Sequence, residues 1–440
     1  MNERDSEIMS QMLSKSNYIP AEDINQADLI VINTCSIREK AEQKVYSLLG
    51  RLKKLKKKNP SLIISVAGCV AQQEGKKLQA RMPQVDIVLG PQHIYELPEL
   101  VNKTVEKGEH QIAVELSPTF KIPSYAPPPP AKQSLKNIDA TTAESFKKFI
   151  TIMQGCNNFC TYCVVPYTRG RETSRAPDDI LAEIKALADQ GIKEITLLGQ
   201  NVNSYGKAQN GSFQYITFPE LLRNAAKVEG ITRLRFTTSN PKDLSPDLIE
   251  CFTEIDNLCP HFHLPVQSGS NRILKRMNRK YSIEEYLEKI DSLRHIRPDI
   301  ALTTDIIVGF PGETDEDFQA TMDLLETVRY HGAYSFKYSD RPQAKSVAFG
   351  DKVDENIKSE RLKLLQEKQN SISLQINKDY EGSTQTIMVE GESKNGDGQW
   401  SGRTRSNIIV NFYGPALSPG QEVQVKITEG LLHSLRGVLT

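Results

Sequence analysis

Three of the seven cysteines stand within eight residues, in Gly155-Cys156-Asn157-Asn158-Phe159-Cys160-Thr161-Tyr162-Cys163, spaced Cys-x3-Cys-x2-Cys. Three thiolates on one short loop can hold three corners of a cubane iron–sulfur cluster, since thiolate is the usual ligand there. The next cysteine is Cys251, so no neighbouring thiol closes the site, and one iron is left open to bind a small molecule. Structural zinc is the competing use, but it takes four protein ligands, commonly from paired Cys-x2-4-Cys knuckles. Three buried thiols without a ligand are the remaining alternative.

The rest of the chain must carry that loop. At 440 residues it is long enough for two to three domains, each with its own core. Its 55 basic and 55 acidic side chains cancel, so any contact with nucleic acid must come from local patches. No run of about twenty apolar residues predicts a membrane span. The polar, charged opening, residues 1–16, does not read as a secretory signal. An odd number of clustered cysteines points to ligands in a reducing, cytoplasmic setting and away from disulfides.

Short apolar runs at 29–33, 62–67 and 85–90 predict strands, and residues 37–58 carry helical periodicity through Val45, Leu48, Leu49, Leu52 and Leu55. Strands alternating with helices predict a small parallel sheet. Cys35 and Cys69 each follow a predicted strand, where such sheets place ligands. Either alone reads as a small buried hydrophobe. The basic run from Arg51 to Lys58 reads as the solvated face of an amphipathic helix, with contact to RNA phosphates as the alternative.

Periodicity lapses from Ser117 to Phe146, and Pro127-Pro128-Pro129-Pro130 predicts a semi-rigid linker. Strands are then predicted at 149–153, 194–199, 233–238, 261–266, 301–308 and 333–338, with helices such as 178–190 and 282–296 between them. Six strand–helix units predict an open, partial parallel α/β barrel, whose chemistry collects at the carboxyl ends of the strands. Cys251 and Cys259 lack ligand spacing and read as packing residues. A helix over 358–379 leads to strands at 385–389, 408–412 and 422–427, with Asn395-Gly396-Asp397-Gly398 as a turn. They predict a small antiparallel β-barrel. Lys394, Arg403, Arg405, Lys426 and Arg436 face six acids there, so RNA binding by this barrel would be local.

These motifs carry a family resemblance. The cysteine loop resembles that of the radical S-adenosylmethionine (SAM) enzymes, in which the open iron chelates the amino and carboxylate groups of SAM. Asn33-Thr34-Cys35-Ser36-Ile37-Arg38-Glu39-Lys40-Ala41, Gly68-Cys69-Val70-Ala71-Gln72-Gln73-Glu74 and Gly90-Pro91-Gln92 resemble the N-terminal domain of the tRNA methylthiotransferases within that superfamily. Thr168-Arg169-Gly170-Arg171-Glu172-Thr173-Ser174-Arg175 resembles their basic stretch, and Gly402-Arg403-Thr404-Arg405-Ser406-Asn407 resembles the TRAM RNA-binding domain. One departure falls at Gln343-Ala344, where the family continues with Gly-Thr after Arg-Pro.

The resemblance implies a methylthiotransferase domain at 1–116, a linker at 117–146, a partial (β/α)6 radical SAM core at 147–375 and a TRAM barrel at 376–440. It implies two 4Fe–4S clusters, one on Cys156, Cys160 and Cys163, the other on three cysteines of which Cys35 and Cys69 match the second and third. The first belongs to a Gly-Cys-Gln-Met-Asn motif. Met1-Asn2-Glu3-Arg4-Asp5-Ser6-Glu7 resembles its continuation, and a start assigned too late is the expected reason. SAM contacts fall on the strand ends, at Gln200, Asn201, Ser239, Gln267, Val308 and Gly309, and RNA contacts on Arg403 and Arg405. The implied reaction inserts a methylthio group at carbon 2 of N6-prenylated adenosine beside the anticodon. One SAM supplies the radical and another the methyl group. The implied partners are that tRNA, a reductant such as flavodoxin and a sulfur donor, and the implied state is a monomer. Threonylcarbamoyl adenosine in tRNA and a ribosomal-protein aspartate are the alternative substrates. A non-catalytic zinc- and RNA-binding protein is the alternative class.

Overall fold

The computed structural model describes residues 1–35, 39–124, 146–207, 216–393 and 398–440, and no side chains over 39–42. The polyproline run Pro127 to Pro130, the turn residues Asn395, Gly396 and Asp397, and Lys394 lie outside the described residues.

Four parallel strands open the fold: β1 Leu29–Thr34, β2 Ile63–Gly68, β3 Ile87–Leu89 and β4 Gln111–Ala113, hydrogen-bonded in that order. The period of two sorts their side chains. Ile63 and Ala67 of β2 join a core with α1 (Asn2–Lys15) and α4 (Leu97–Lys107), whereas Ile64 and Val66 join one with Val45, Leu49 and Leu52 of α2 (Glu39–Lys58). Sequence reading passed over α1. It buries only a narrow stripe around Ile8 and Met9, and its other faces are polar. β4 was passed over too, being three residues long.

Six parallel strands form the centre. β5 Lys147–Thr151, β6 Glu194–Leu198 and β7 Arg233–Thr237 make one ladder, and β8 His261–His263, β9 Ala301–Val308 and β10 Gly332–Lys337 another. The Cys259 amide donates to the Leu234 carbonyl at 2.9 Å, which joins β7 to the segment entering β8. Among the described residues no ladder links β10 back to β5, so the barrel is open. The predicted strand at 149–153 ends at Thr151, and Met153–Gln154 instead pairs antiparallel with Thr173–Ser174. Cys251 and Cys259 are fully buried in packing positions.

Helix α7 (Glu355–Lys378) leads into a closed barrel of β11 Thr384–Glu392, β12 Trp400–Arg403, β13 Ile409–Tyr413, β14 Glu422–Gly430 and β15 Leu435–Leu439. β12 and β15 escaped the sequence reading because each holds a glycine that interrupts its apolar alternation. Gly437 is needed there, since a Cβ would run into Val425 and the Lys426 carbonyl.

Buried charges fix both outer units to the centre. On the N-terminal side Arg4 and Arg175 pair with the buried Glu183, and Asp5 pairs with Arg169 at 2.6 Å. On the C-terminal side Arg233 and Arg235 of β7 reach carbonyls of the last barrel.

Candidate active site

The cysteine loop leaves the end of β5 and is held mainly by its backbone. The Cys156 amide donates to the Gly170 carbonyl (3.2 Å), Thr161 to Met277 (3.0 Å) and Cys163 to Cys160 (3.0 Å). Gly155 takes a φ of +81°, and a Cβ there would strike the Arg171 carbonyl. Phe159 adopts a left-handed φ of 49°, and the Asn278 side-chain amide caps the Asn158 and Phe159 carbonyls at 3.2 and 3.0 Å. The Arg279 guanidinium lies 3.5 Å from the Cys160 sulfur. Asn278 and Arg279 follow α6 (Asn271–Arg276) and were not read as site residues. No spacing ties them to the cysteines in the sequence.

Burial pushes the Cys163 thiol up to about 12, with Cys160 adding to the effect, and burial also raises Cys156. Thiolates become stable in such a place against added positive charge, which iron supplies. A cubane asks each thiolate to hold a different iron, so the sulfurs stand at separate corners. Three thiols without a fourth cysteine on the loop fit a cluster with one open iron better than structural zinc, which takes four protein ligands.

The register Thr151–Leu198–Thr237 aligns the carboxyl ends of β5, β6 and β7. Just beyond those ends, Gln154 Nε2, Asn201 Oδ1, Thr238 Oγ1 and Ser239 Oγ are buried without a hydrogen-bond partner. Orphaned polar atoms are costly and rare in a finished core. A row of them at one sheet edge is what a polar ligand such as the amino-acid end of SAM would satisfy. Gln200 accepts from the Gly155 amide at 2.6 Å, tying this edge to the cysteine loop. Across the barrel, Gln267 has a φ of 75° and its amide donates to the Asp305 carbonyl. Val308 is buried, and the Gly309 amide donates to Glu313 at 2.7 Å. The structure therefore gathers the loop with Gln200, Asn201 and Ser239 on one half, and sets Gln267, Val308 and Gly309 on the other.

Glu172 is a further site residue that the sequence reading had absorbed into a basic stretch. Its carboxyl is raised from an ordinary 4.5 to about 7, by burial first and by Asp243 as well, against hydrogen bonding from Ser204. An unfolded chain gives up this proton near 4.5 while the folded one keeps it to about 7, so the cost grows across that window and persists above it. Glu172→Gln is expected to match wild type at pH 4.5 and to be more stable at pH 8, by up to about 3 kcal/mol. Denaturation midpoints at the two pH values check this.

Cys35 and Cys69 follow the register pair Thr34–Gly68 and so stand side by side at one sheet edge. Helix α3 (Cys69–Glu74) packs on the turn Val165–Thr168 that follows the cysteine loop. Arg169 lies between Asp5 and the Cys69 sulfur, and the buried amino group of Met1 has Asp5, Arg169 and Cys35 around it. Two thiols fall short of a three-thiolate set, so the residues present do not by themselves fit a second cluster, and no step is assigned to one. Ser36, Ile37 and Arg38 lie outside the described residues.

Arg403 and Arg405 are engaged within the protein. Arg403 pairs with Glu390 at 3.2 Å, and Arg405 donates to the Asp256 and Leu258 carbonyls. Of the basic run, Lys56 binds Asp86 at 2.8 Å, while Arg51, Lys53, Lys54, Lys57 and Lys58 are exposed.

The open parallel barrel with a three-cysteine loop at its first strand defines a radical SAM enzyme. The model of the radical SAM superfamily matches residues 150–325, that of the TRAM domain matches 378–440, and that of the uncharacterized protein family UPF0004 matches 1–90. Membership in the superfamily implies a 4Fe–4S cluster and SAM. The tRNA-2-methylthio-N(6)-dimethylallyladenosine synthase of Desulfotalea psychrophila is 53% identical over 440 residues, covering 99% of this chain and 96% of that one. The enzyme of the same name from Syntrophus aciditrophicus is 48% identical, over 99% of this chain and 92% of that one. The chain belongs to this family of tRNA-2-methylthio-N(6)-dimethylallyladenosine synthases. In fold it is similar to the radical SAM methyltransferase TsrM of Kitasatospora setae, solved with cobalamin and a 4Fe–4S cluster bound. The TM-score is 0.57 at 12% identity, over 90% of this chain and 78% of that one. Among the described residues no helix is long and apolar enough to cross a membrane.

Proposed function

We propose that this chain uses SAM to place a methylthio group on carbon 2 of N6-dimethylallyl adenosine beside the tRNA anticodon. The observation that carries the reading is the backbone-anchored Cys156–Cys160–Cys163 loop set against a row of orphaned buried polar atoms at the adjoining strand ends. The reaction explains why such a site is needed. The target carbon–hydrogen bond has no useful acidity and no leaving group, so acid–base chemistry has no handle on it and a cofactor radical is required. When bound to the three thiolates, a 4Fe–4S cluster supplies the electron that splits SAM reductively.

The chain's own residues hold and orient. Cys156, Cys160 and Cys163 are the ligands, and Arg279 donates to the Cys160 sulfur. Gln200 positions the loop through Gly155. Asn201 and Ser239 offer polar atoms to the methionyl end of SAM, while Gln267, Val308 and Gly309 line the adenosine side. Glu172, uncharged below about pH 7, adds a proton donor at the mouth. The adenosine must leave its stacked loop to enter, as enzymes acting on bases commonly require. Arg51, Lys53, Lys54 and the TRAM barrel with Arg403 and Arg405 are surfaces for tRNA. Cys35 and Cys69, beside the turn that follows the cysteine loop, mark the side from which an external donor delivers sulfur. A protein such as flavodoxin supplies electrons, and the enzyme works as a cytoplasmic monomer.

The test is nucleoside mass spectrometry on tRNA from a strain lacking the gene. The methylthio-prenyl adenosine peak is expected to vanish and the prenyl precursor to accumulate. An unchanged peak would overturn the reading. Loss of the methylthio derivative of threonylcarbamoyl adenosine alone would move the assignment to that substrate.

A further inference from the structure

Two of the three ligand cysteines also form the wall of a surface cleft. The cleft, of about 390 Å³, runs along the flank of the loop, with Cys160 and Cys163 on one side and the end of α6 on the other. Phe159, Tyr167 and Phe349 give it apolar faces, and Tyr167 is 39% exposed. Lys275 and Lys345 stand exposed on the rim, and the exposed Arg171 lies 4.4 Å over the Phe159 ring. Among the described residues Asp351 is spent on Arg276 at 2.8 Å, and no carboxylate is paired with Lys275, Lys345 or Arg171.

Each property has a use if an electron must be delivered here. Reductive cleavage of SAM consumes one electron per event, which a carrier must bring to the cysteine loop. A carrier in this cleft comes against the cysteine loop itself, at Phe159, Cys160 and Cys163. Unpaired cations around an apolar centre suit a brief, electrostatically steered encounter, and electron-transfer contacts are typically small and weak. We infer that this cleft is the docking surface for an acidic one-electron carrier protein. The carrier is oxidised by one electron. That electron ends in the sulfonium of SAM, whose sulfur–C5′ bond breaks to give methionine and the 5′-deoxyadenosyl radical. RNA is the other polyanion that basic residues attract. Here, however, two ligand cysteines are among the residues lining the cleft, and a phosphate backbone has no need to approach them.

The inference rests on the reductive use of SAM proposed above, and the experiment separates the two. SAM cleavage by the reconstituted holoenzyme is measured with reduced flavodoxin and, separately, with dithionite, for wild type and for Lys275→Glu/Lys345→Glu. The flavodoxin-driven rate of the double variant is expected to fall about ten-fold or more at low salt. Its dithionite-driven rate and its tRNA affinity should stay at wild-type values. An unchanged flavodoxin-driven rate, or an equal loss with both reductants, would overturn the docking assignment. Weaker tRNA binding with intact flavodoxin-driven cleavage would give the cleft to RNA. Failure of wild type to cleave SAM with either reductant would sink the underlying reading instead.

Discussion

Replacing Cys156, Cys160 and Cys163 together by alanine is expected to give a folded chain that binds no iron and cleaves no SAM. The loop should survive because its fixings are main-chain: Cys156 to Gly170, Thr161 to Met277, and the Asn278 cap on two carbonyls. Nor does the change at Cys163 remove a charge, since burial keeps its proton on to about pH 12. What disappears is the ligand set. By cubane stoichiometry the wild-type chain should take up about four irons after anaerobic reconstitution, and the triple variant none. Cys35→Ala should leave the iron count unchanged. Retention of about four irons by the triple variant would remove the cluster from this loop. About eight in wild type would mean that a further group completes a second set beside Cys35 and Cys69.

Much of this arrangement was legible in the sequence because it is written in local patterns. Apolar runs marked the parallel strands, and a polar or glycine-bearing turn marked the end of each. The cysteine spacing announced its own chemistry. What stayed hidden depends on partners far along the chain. Arg279 meets Cys160 across 119 residues, and no periodicity relates them. Glu172 looked like one acid in a basic stretch, whereas its burial beside Ser204 and Asp243 sets its proton affinity. The short β8 shows the same limit. The sequence reading carried β8 to Val266, but the ladder with β9 covers only His261 to His263, and pairing resumes as a single parallel bridge between Gln267 and Ile306. Arg403 and Arg405 were read by resemblance as RNA contacts. In the fold their side chains face Glu390 and the 256–258 carbonyls, and their own carbonyls accept from β7.

Those carbonyls set up the second large effect. Arg233 is fully buried on β7, and its guanidinium donates to Glu422 (2.8 Å), to the Arg403 carbonyl (2.9 Å) and to the Thr386 carbonyl (3.2 Å). Arg235 repeats the pattern on the Arg405 and Thr404 carbonyls at 2.9 and 3.2 Å. Arg233→Met keeps much of the volume but strands two acceptors, each worth about 1–3 kcal/mol when left unpaired. Glu422 is over a third exposed and can turn to water, so the ion pair itself adds little. A loss of about 3 kcal/mol in the seating of the last barrel follows. Trp400, the sole tryptophan, lies in β12 of that barrel with its indole bonded to the Pro415 carbonyl at 2.9 Å, so its fluorescence reports on this unit alone. In Arg233→Met the Trp400 transition is expected to move to lower denaturant and to separate from the far-UV signal, because distinct domains need not unfold as one. Arg436→Ala, which breaks only the exposed pair with Glu429, should move nothing. The functional consequence distinguishes seating from chemistry. The cysteine loop stands at the carboxyl ends of the strands, and Arg233 opens β7 at its amino end. Cluster content and SAM cleavage should therefore survive in Arg233→Met while tRNA affinity falls. A Trp400 transition that stays in place would mean that the barrel is held by other contacts, and that the orientation of Arg403 and Arg405 does not depend on this arginine.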